Sequence, residues 1–160
     1  MTPDGEKRTM TVAQWHALAL TGAAPTMRIR LDGDSMRPLI RRNRDTVTIV
    51  PLKRKLMRGD VVLFEYPEGR YVVHRVYRIK GNLVRTLGDH CRNAEPFFPE
   101  SKVLGLVIQA ERGGKTIALD TPFARAMGRV WMAALPIREV YWSGRALAGR
   151  ALRKLHLLKK

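Results

Sequence analysis

The chain has 160 residues, 45% of them hydrophobic and 28% charged, enough to pack one domain and too apolar for disorder throughout. Lys and Arg number 30 against 14 Asp and Glu, a formal net charge of +16, so the surface favours anionic partners. A single cysteine, Cys91, excludes an internal disulfide framework and a cysteine-based zinc site.

Residues 1–8 are polar and charged, without the apolar stretch of a secretory signal. Residues 11–27 lack formal charge but hold Gln14, His16, Gly22 and Pro25, too polar for the ~20 apolar residues of a membrane span. The expected location is cytoplasmic, soluble or peripheral at a membrane. Within this stretch residues 11–21 predict a short helix: Val12, Trp15, Leu18 and Ala19 share a face, Thr11 is a cap, and residues 22–25 end it. From residue 27 the texture turns to β. Met27, Ile29 and Leu31 alternate with polar side chains, as do Val47 and Ile49. Residues 60–66 and 71–79 are longer apolar runs, and residues 83–87 make a short one. Residues 103–110 and 116–119 flank Gly113-Gly114, a hairpin signal.

After Pro122 the spacing becomes helical. Ile137, Val140, Tyr141, Gly144, Leu147, Ala151, Leu155 and Leu158 keep a spacing of three to four, with a break near Pro136. Residues 121–160 hold nine basic side chains and one acidic, Glu139, a net +8 and half the excess of the whole chain. The expected fold is mainly β: a compact bent sheet or partial barrel, with a short N-terminal helix and a basic helical C-terminal appendage. The expected division is residues 1–26 as lead-in, 27–120 as the β domain and 121–160 as a basic amphipathic tail.

Three places carry candidate chemistry. Ser35 stands in Gly33-Asp34-Ser35-Met36-Arg37-Pro38, a turn directly after a strand, where a serine is exposed and held rigidly. His74 lies in Val72-Val73-His74-Arg75-Val76 and shares a strand face with Val72 and Val76, which suits a base titrating near neutrality. Gly88-Asp89-His90, with Glu95 close behind, offers carboxylates to orient an imidazole. Each alone has a plainer reading: a capping serine, a strand histidine bonded to backbone, a Gly-Asp turn. His16, His90 and His156 read as helix, loop and tail residues, and the four histidines show no metal spacing.

The order of the pieces says more than any one. Ser35-Met36-Arg37-Pro38 resembles the Ser-x-x-Pro nucleophile box of signal peptidases. Arg58-Gly59-Asp60-Val61-Val62-Leu63-Phe64 resembles a second box of that family, Val73-His74-Arg75-Val76 the box of the general base, and Leu87-Gly88-Asp89 the Gly-Asp box, followed by Val103-Leu104-Gly105. Four boxes in order cover residues 27–110. LexA-like self-cleaving repressors share the wider superfamily and a similar serine turn. Most members use Lys as base; His74 here is similar to the endoplasmic-reticulum-type branch. The sequence departs from the pattern at His90, where Asn is usual, and at Glu95, where Asp is usual. It also shows no membrane span at either end.

The resemblance implies a serine endopeptidase cleaving a leader or precursor peptide. Ser35 would be nucleophile and His74 general base, with Asp89 or Glu95 as third member and the choice open. Met36, Val62 and Phe64 would line an apolar subsite, the Ser35 N–H would donate to an oxyanion, and the substrate would add as a strand to a sheet edge. No cofactor or metal is called for, and activity should rise with pH through the His74 pKa. The expected partner is a peptide or protein substrate. For residues 121–160, docking on anionic membrane and packing on the β core both stand as readings. No specific nucleic acid is expected, since aromatic residues do not interleave with the basic runs. The alternatives are a non-catalytic basic module binding nucleic acid or anionic membrane on the same fold, a LexA-like regulator, for which residues 1–26 are too short a DNA-binding domain, and a degenerate peptidase that binds without cutting.

Overall fold

A computed structural model of the chain describes residues 10–21 and 23–137. In chain order these form helix α1 (Val12–Leu20), strands β1 (Met27–Arg30), β2 (Thr46–Pro51), β3 (Val61–Tyr66), β4 (Arg70–Lys80), β5 (Leu83–Leu87), β6 (Phe98–Pro99), β7 (Val103–Arg112) and β8 (Lys115–Ala118), and helix α2 (Pro122–Ala133). The apolar stripe expected beyond Ile137, and the basic side chains from Arg138 onward, lie outside the described residues, as does Gly22.

The protein is mainly β, as its alternation implied. Among the described residues eight strands make one antiparallel sheet, seven of them in the order β1-β2-β7-β3-β4-β5-β6 with β8 paired to β7 off that path, and it is not closed into a barrel. Strand β7 organises it. One edge pairs with β2 over Gly105 to Glu111; the other pairs with β3 from Val103 to Leu106 and then with β8 from Gln109 to Arg112. Register shifts at Thr48/Ile49, Leu63/Phe64 and Val76/Arg78 bend the strands that carry them. The β7–β8 turn uses Gly113 and Gly114 at φ 52° and 77°, the paired left-handed conformations of the expected two-residue hairpin. Strand β6, only two residues long, carries no periodicity that could announce it.

Both faces of the sheet are covered, which is why β3 reads as an unbroken apolar run. Val61, Leu63 and Val73 join Trp15, Met27, Met36, Ile40, Val47 and Ile49 in one cluster; Val62, Phe64 and Val76 join Leu56, Val84, Val103 and Leu106 in the other. Helix α1 starts at a Thr11–Gln14 capping box and sends Trp15 fully into the first cluster, where its indole N–H donates to Pro25 O at 2.6 Å. The Trp15 ring lies so close to Gly105 that a Cβ there would sit 2.7 Å from it. The lead-in and the β region thus share one core. Helix α2 is capped by Thr121, with Pro122 in its first turn, and stops at Ala133, three residues before Pro136. Among the described residues no helix is long and apolar enough to cross a membrane.

Candidate active site

Ser35 is partly buried in the turn after β1, and the structure holds that turn at both ends. At the front, His90 N–H donates to Ser35 O at 2.7 Å. At the back, the Arg112 guanidinium donates to Leu39 O at 2.8 Å and Pro38 O at 3.4 Å while it pairs with the buried Asp45. Asp45 also accepts from Arg41 N at 2.9 Å. Hydrogen bonding to Arg112 holds the Asp45 carboxyl below its ordinary range, so the clamp stays ionised at neutral pH. The Arg37–Pro38 peptide is cis.

The Gly88 backbone is where three parts of the site meet. A Cβ placed on Gly88 would lie 2.6 Å from Cys91 Sγ, 2.7 Å from Ser35 O and 3.0 Å from His74 Nε2. The serine turn and the imidazole Nε2 therefore converge on one point, and only glycine leaves room for both. Gly88→Ala is expected to cost about 1–3 kcal/mol through overpacking, read as a lower urea midpoint. The same variant should alter the His74 ring resonances in NMR spectra, because His74 or the serine turn must move.

His74 is on β4 opposite Val62 of β3, 4% exposed, with the Phe64 ring 6.0 Å away between centroids. Burial lowers its pKa from the ordinary 6.5, and the charges of Glu95 and Asp89 pull the other way without prevailing. The imidazole is thus neutral at pH 7, the form a base requires. Its Nδ1 is buried, makes no hydrogen bond among the described residues, and faces Glu95 Oε1 at 3.6 Å. That is beyond hydrogen-bond length, and a closure of less than about 1 Å would make the bond. Protonation of the ring would drive that closure, since it turns a neutral contact into an ion pair.

The two candidate carboxylates occupy different places. Both oxygens of Asp89 accept from Arg75, at 2.8 Å from Nε and 2.7 Å from Nη2, with Asp89 2% and Arg75 3% exposed. Arg75 follows His74 on β4 and so projects from the opposite face of the sheet. There it donates to Gly59 O at 2.9 Å and lies in tight contact with Gly128 of α2, while Trp131 Nε1 donates to Asp89 O at 2.8 Å. Asp89 is therefore taken up behind the site in a buried ion pair, and the carboxylate facing His74 Nδ1 is Glu95.

Glu95 is positioned by residues the sequence did not single out. Tyr66 OH donates to Glu95 Oε2 at 3.0 Å, and Arg70 sits over the Tyr66 ring at 5.1 Å. Glu95 N–H donates to Thr86 O at 2.8 Å, and Arg85 Nε donates to Glu95 O at 2.7 Å. Pairing of β5 with β6, with Val84 opposite Phe98, returns the loop that carries Glu95 to the edge of β5. Phe98 then stacks on Phe64 at 4.7 Å beside the imidazole. Arg75, a charge in the middle of an apolar strand, was the one available sign that a buried carboxylate partner existed.

The expected apolar subsite is corrected. Met36, Val62 and Phe64 are 1%, 0% and 1% exposed and packed into the two core clusters, because the sheet is covered on both faces. Among the described residues an accessible apolar cleft of about 380 Å³ has Pro38, Leu39, Ile117, Phe123, Met127 and Trp131 on its walls. The charged residues at its edge, Arg75, Asp89 and Arg112, are spoken for in ion pairs. Among the described residues there is no cluster of three or more His, Cys, Asp and Glu arranged to hold a metal. Comparison with known proteins finds no matching family model and no matching curated protein.

Proposed function

We propose that the protein is a serine endopeptidase of the signal-peptidase type, on a sheet of the signal-peptidase and LexA kind, that cleaves a leader or precursor peptide. One observation carries this reading: a buried histidine, its pKa lowered by burial, whose Nε2 closes on Gly88 together with the serine turn and whose Nδ1 faces a positioned carboxylate. That is the polarity of a nucleophile–base–orienter set. Ser35 Oγ attacks the scissile carbonyl as His74 Nε2 takes the hydroxyl proton. The imidazolium is stabilised by Glu95, held in place by Tyr66. The Ser35 N–H donates to the oxyanion, and His74 returns its proton to the leaving amine. Water then attacks the acyl-enzyme by the same route.

The experiment is cleavage of a peptide library by the purified chain across pH. Activity is expected to rise as His74 loses its proton, with a midpoint below 6.5, and then to hold level through neutrality. Stability follows the same sign. With the folded pKa below the unfolded value, the unfolded chain binds the extra proton, so stability falls as pH drops below 6.5 and levels off beneath the folded pKa. An activity that rises with a midpoint above pH 7 would assign the titration to another group and count against His74 as base. A chain inert toward every peptide at all pH values would remove the peptidase reading in favour of a binding module.

A further inference from the structure

Helix α2 has the reverse of an ordinary surface helix's polarity. At 100° per residue, Phe123, Met127 and Val130 fall within an arc of about 60°. These three are 76%, 52% and 63% exposed. The face turned to the protein holds one of the helix's two charges, while Arg129 is exposed: Arg125 donates to Asp120 O and approaches Asp60 at 3.7 Å, with its side chain only 13% exposed. Gly128 and Met132 are buried on that same side. The Thr121 cap, the Arg125–Asp60 pair and the Gly128–Arg75 contact fix this rotation, so the apolar line cannot roll inward. Ile137, next along the chain, is 74% exposed.

We propose that the outward line of Phe123, Met127 and Val130 is a docking surface for an anionic phospholipid bilayer. Charge complementarity selects the partner. The chain carries +16, and the 23 residues that follow Ile137 hold seven basic side chains and one acidic. Each basic residue near an anionic membrane adds roughly fivefold to partition. A short apolar insertion and a polybasic segment are each weak alone and together hold a protein at the interface. A protein partner fits less well: three side chains in a line fall far short of the roughly 20–30 residues a side of a stable interface. The inference does not rest on the peptidase reading, because nothing in it uses Ser35 or His74.

Flotation of the full chain with lipid vesicles tests it. The protein should float with vesicles of phosphatidylcholine and phosphatidylglycerol and at least about tenfold less with phosphatidylcholine alone. Phe123→Ser/Met127→Ser, which alters only exposed side chains and should keep the wild-type melting temperature, should weaken anionic partition by about tenfold or more. Phe123→Trp, with the native tryptophans as background, should show a blue-shifted emission component on adding anionic vesicles. Three results would overturn the proposal: no flotation of the wild type, equal flotation of the serine double variant, or an unshifted Phe123→Trp spectrum. Equal flotation of the double variant would assign binding to charge alone.

Discussion

Ser35→Ala and His74→Ala are each expected to cut peptide cleavage by about 10³-fold or more, and the double variant by little beyond either single change. On the proposed peptidase mechanism the two side chains would act as one unit: without Nε2 the hydroxyl would keep its proton, and without Oγ the base would have nothing to activate. Ser35 lies partly exposed on a turn held through backbone groups, its own carbonyl and those of Pro38 and Leu39. Ser35→Ala should therefore retain the wild-type unfolding free energy within about 0.5 kcal/mol in urea titrations. His74→Ala empties a buried position beside Phe64 and is expected to be less stable, so Ser35→Ala is the cleaner test. Glu95→Gln should cost about 10²–10⁴-fold in kcat, since it removes the charge that stabilises the imidazolium. Its side chain is 22% exposed, so its folding penalty should be small. The readout is kcat and KM on a peptide selected from the library, with near-ultraviolet circular dichroism to verify each fold. Cleavage that survives both Ser35→Ala and His74→Ala would end the proposal for this pair.

The largest effect on stability is expected at Asp89. Removing its carboxylate leaves the Arg75 guanidinium buried at 3% exposure without its bidentate partner, and an uncompensated buried charge costs about 3–5 kcal/mol. Asp89→Ala should lower the unfolding free energy by that amount, read as a lower urea midpoint. The double variant Arg75→Met/Asp89→Leu should recover much of the loss, because removing both charges removes the desolvation cost as well. Glu95→Ala, by contrast, should cost no more than about 1 kcal/mol. The two carboxylates were equivalent candidates from their positions in the sequence, and this pair of measurements separates them: one loses the fold, the other the chemistry. Equal stability losses for Asp89→Ala and Glu95→Ala would contradict this division.

Legibility followed the range of the interaction. The face of His74 could be read because strand side chains alternate, which places it on the same face as Val72 and Val76. The β7–β8 hairpin could be read because Gly113-Gly114 prescribes its own turn. The serine turn between β1 and β2 could be located, since Gly33 and Pro38 mark a turn after alternating residues. The position of Glu95 could not be read. It depends on a two-residue strand, Phe98–Pro99, returning to β5, and on Tyr66 reaching across from β3. The accessibility of Met36, Val62 and Phe64 was equally hidden: an apolar residue on a strand is marked as apolar, but whether another layer covers it is decided by chain far away in sequence.

The amino-acid sequence by itself determined the β texture, the capped first helix and the basic excess, because each rests on local periodicity, turn chemistry or residue counts; the candidate pairing of Ser35 with His74 came instead from the resemblance of four boxes in order. Tertiary structure alone decided which carboxylate faces the histidine, which face of α2 meets solvent, and where apolar space stays open. Those outcomes depend on Arg75 and His74 projecting from opposite faces of one strand. A side chain's partner is then set by whichever distant segment folds onto its face.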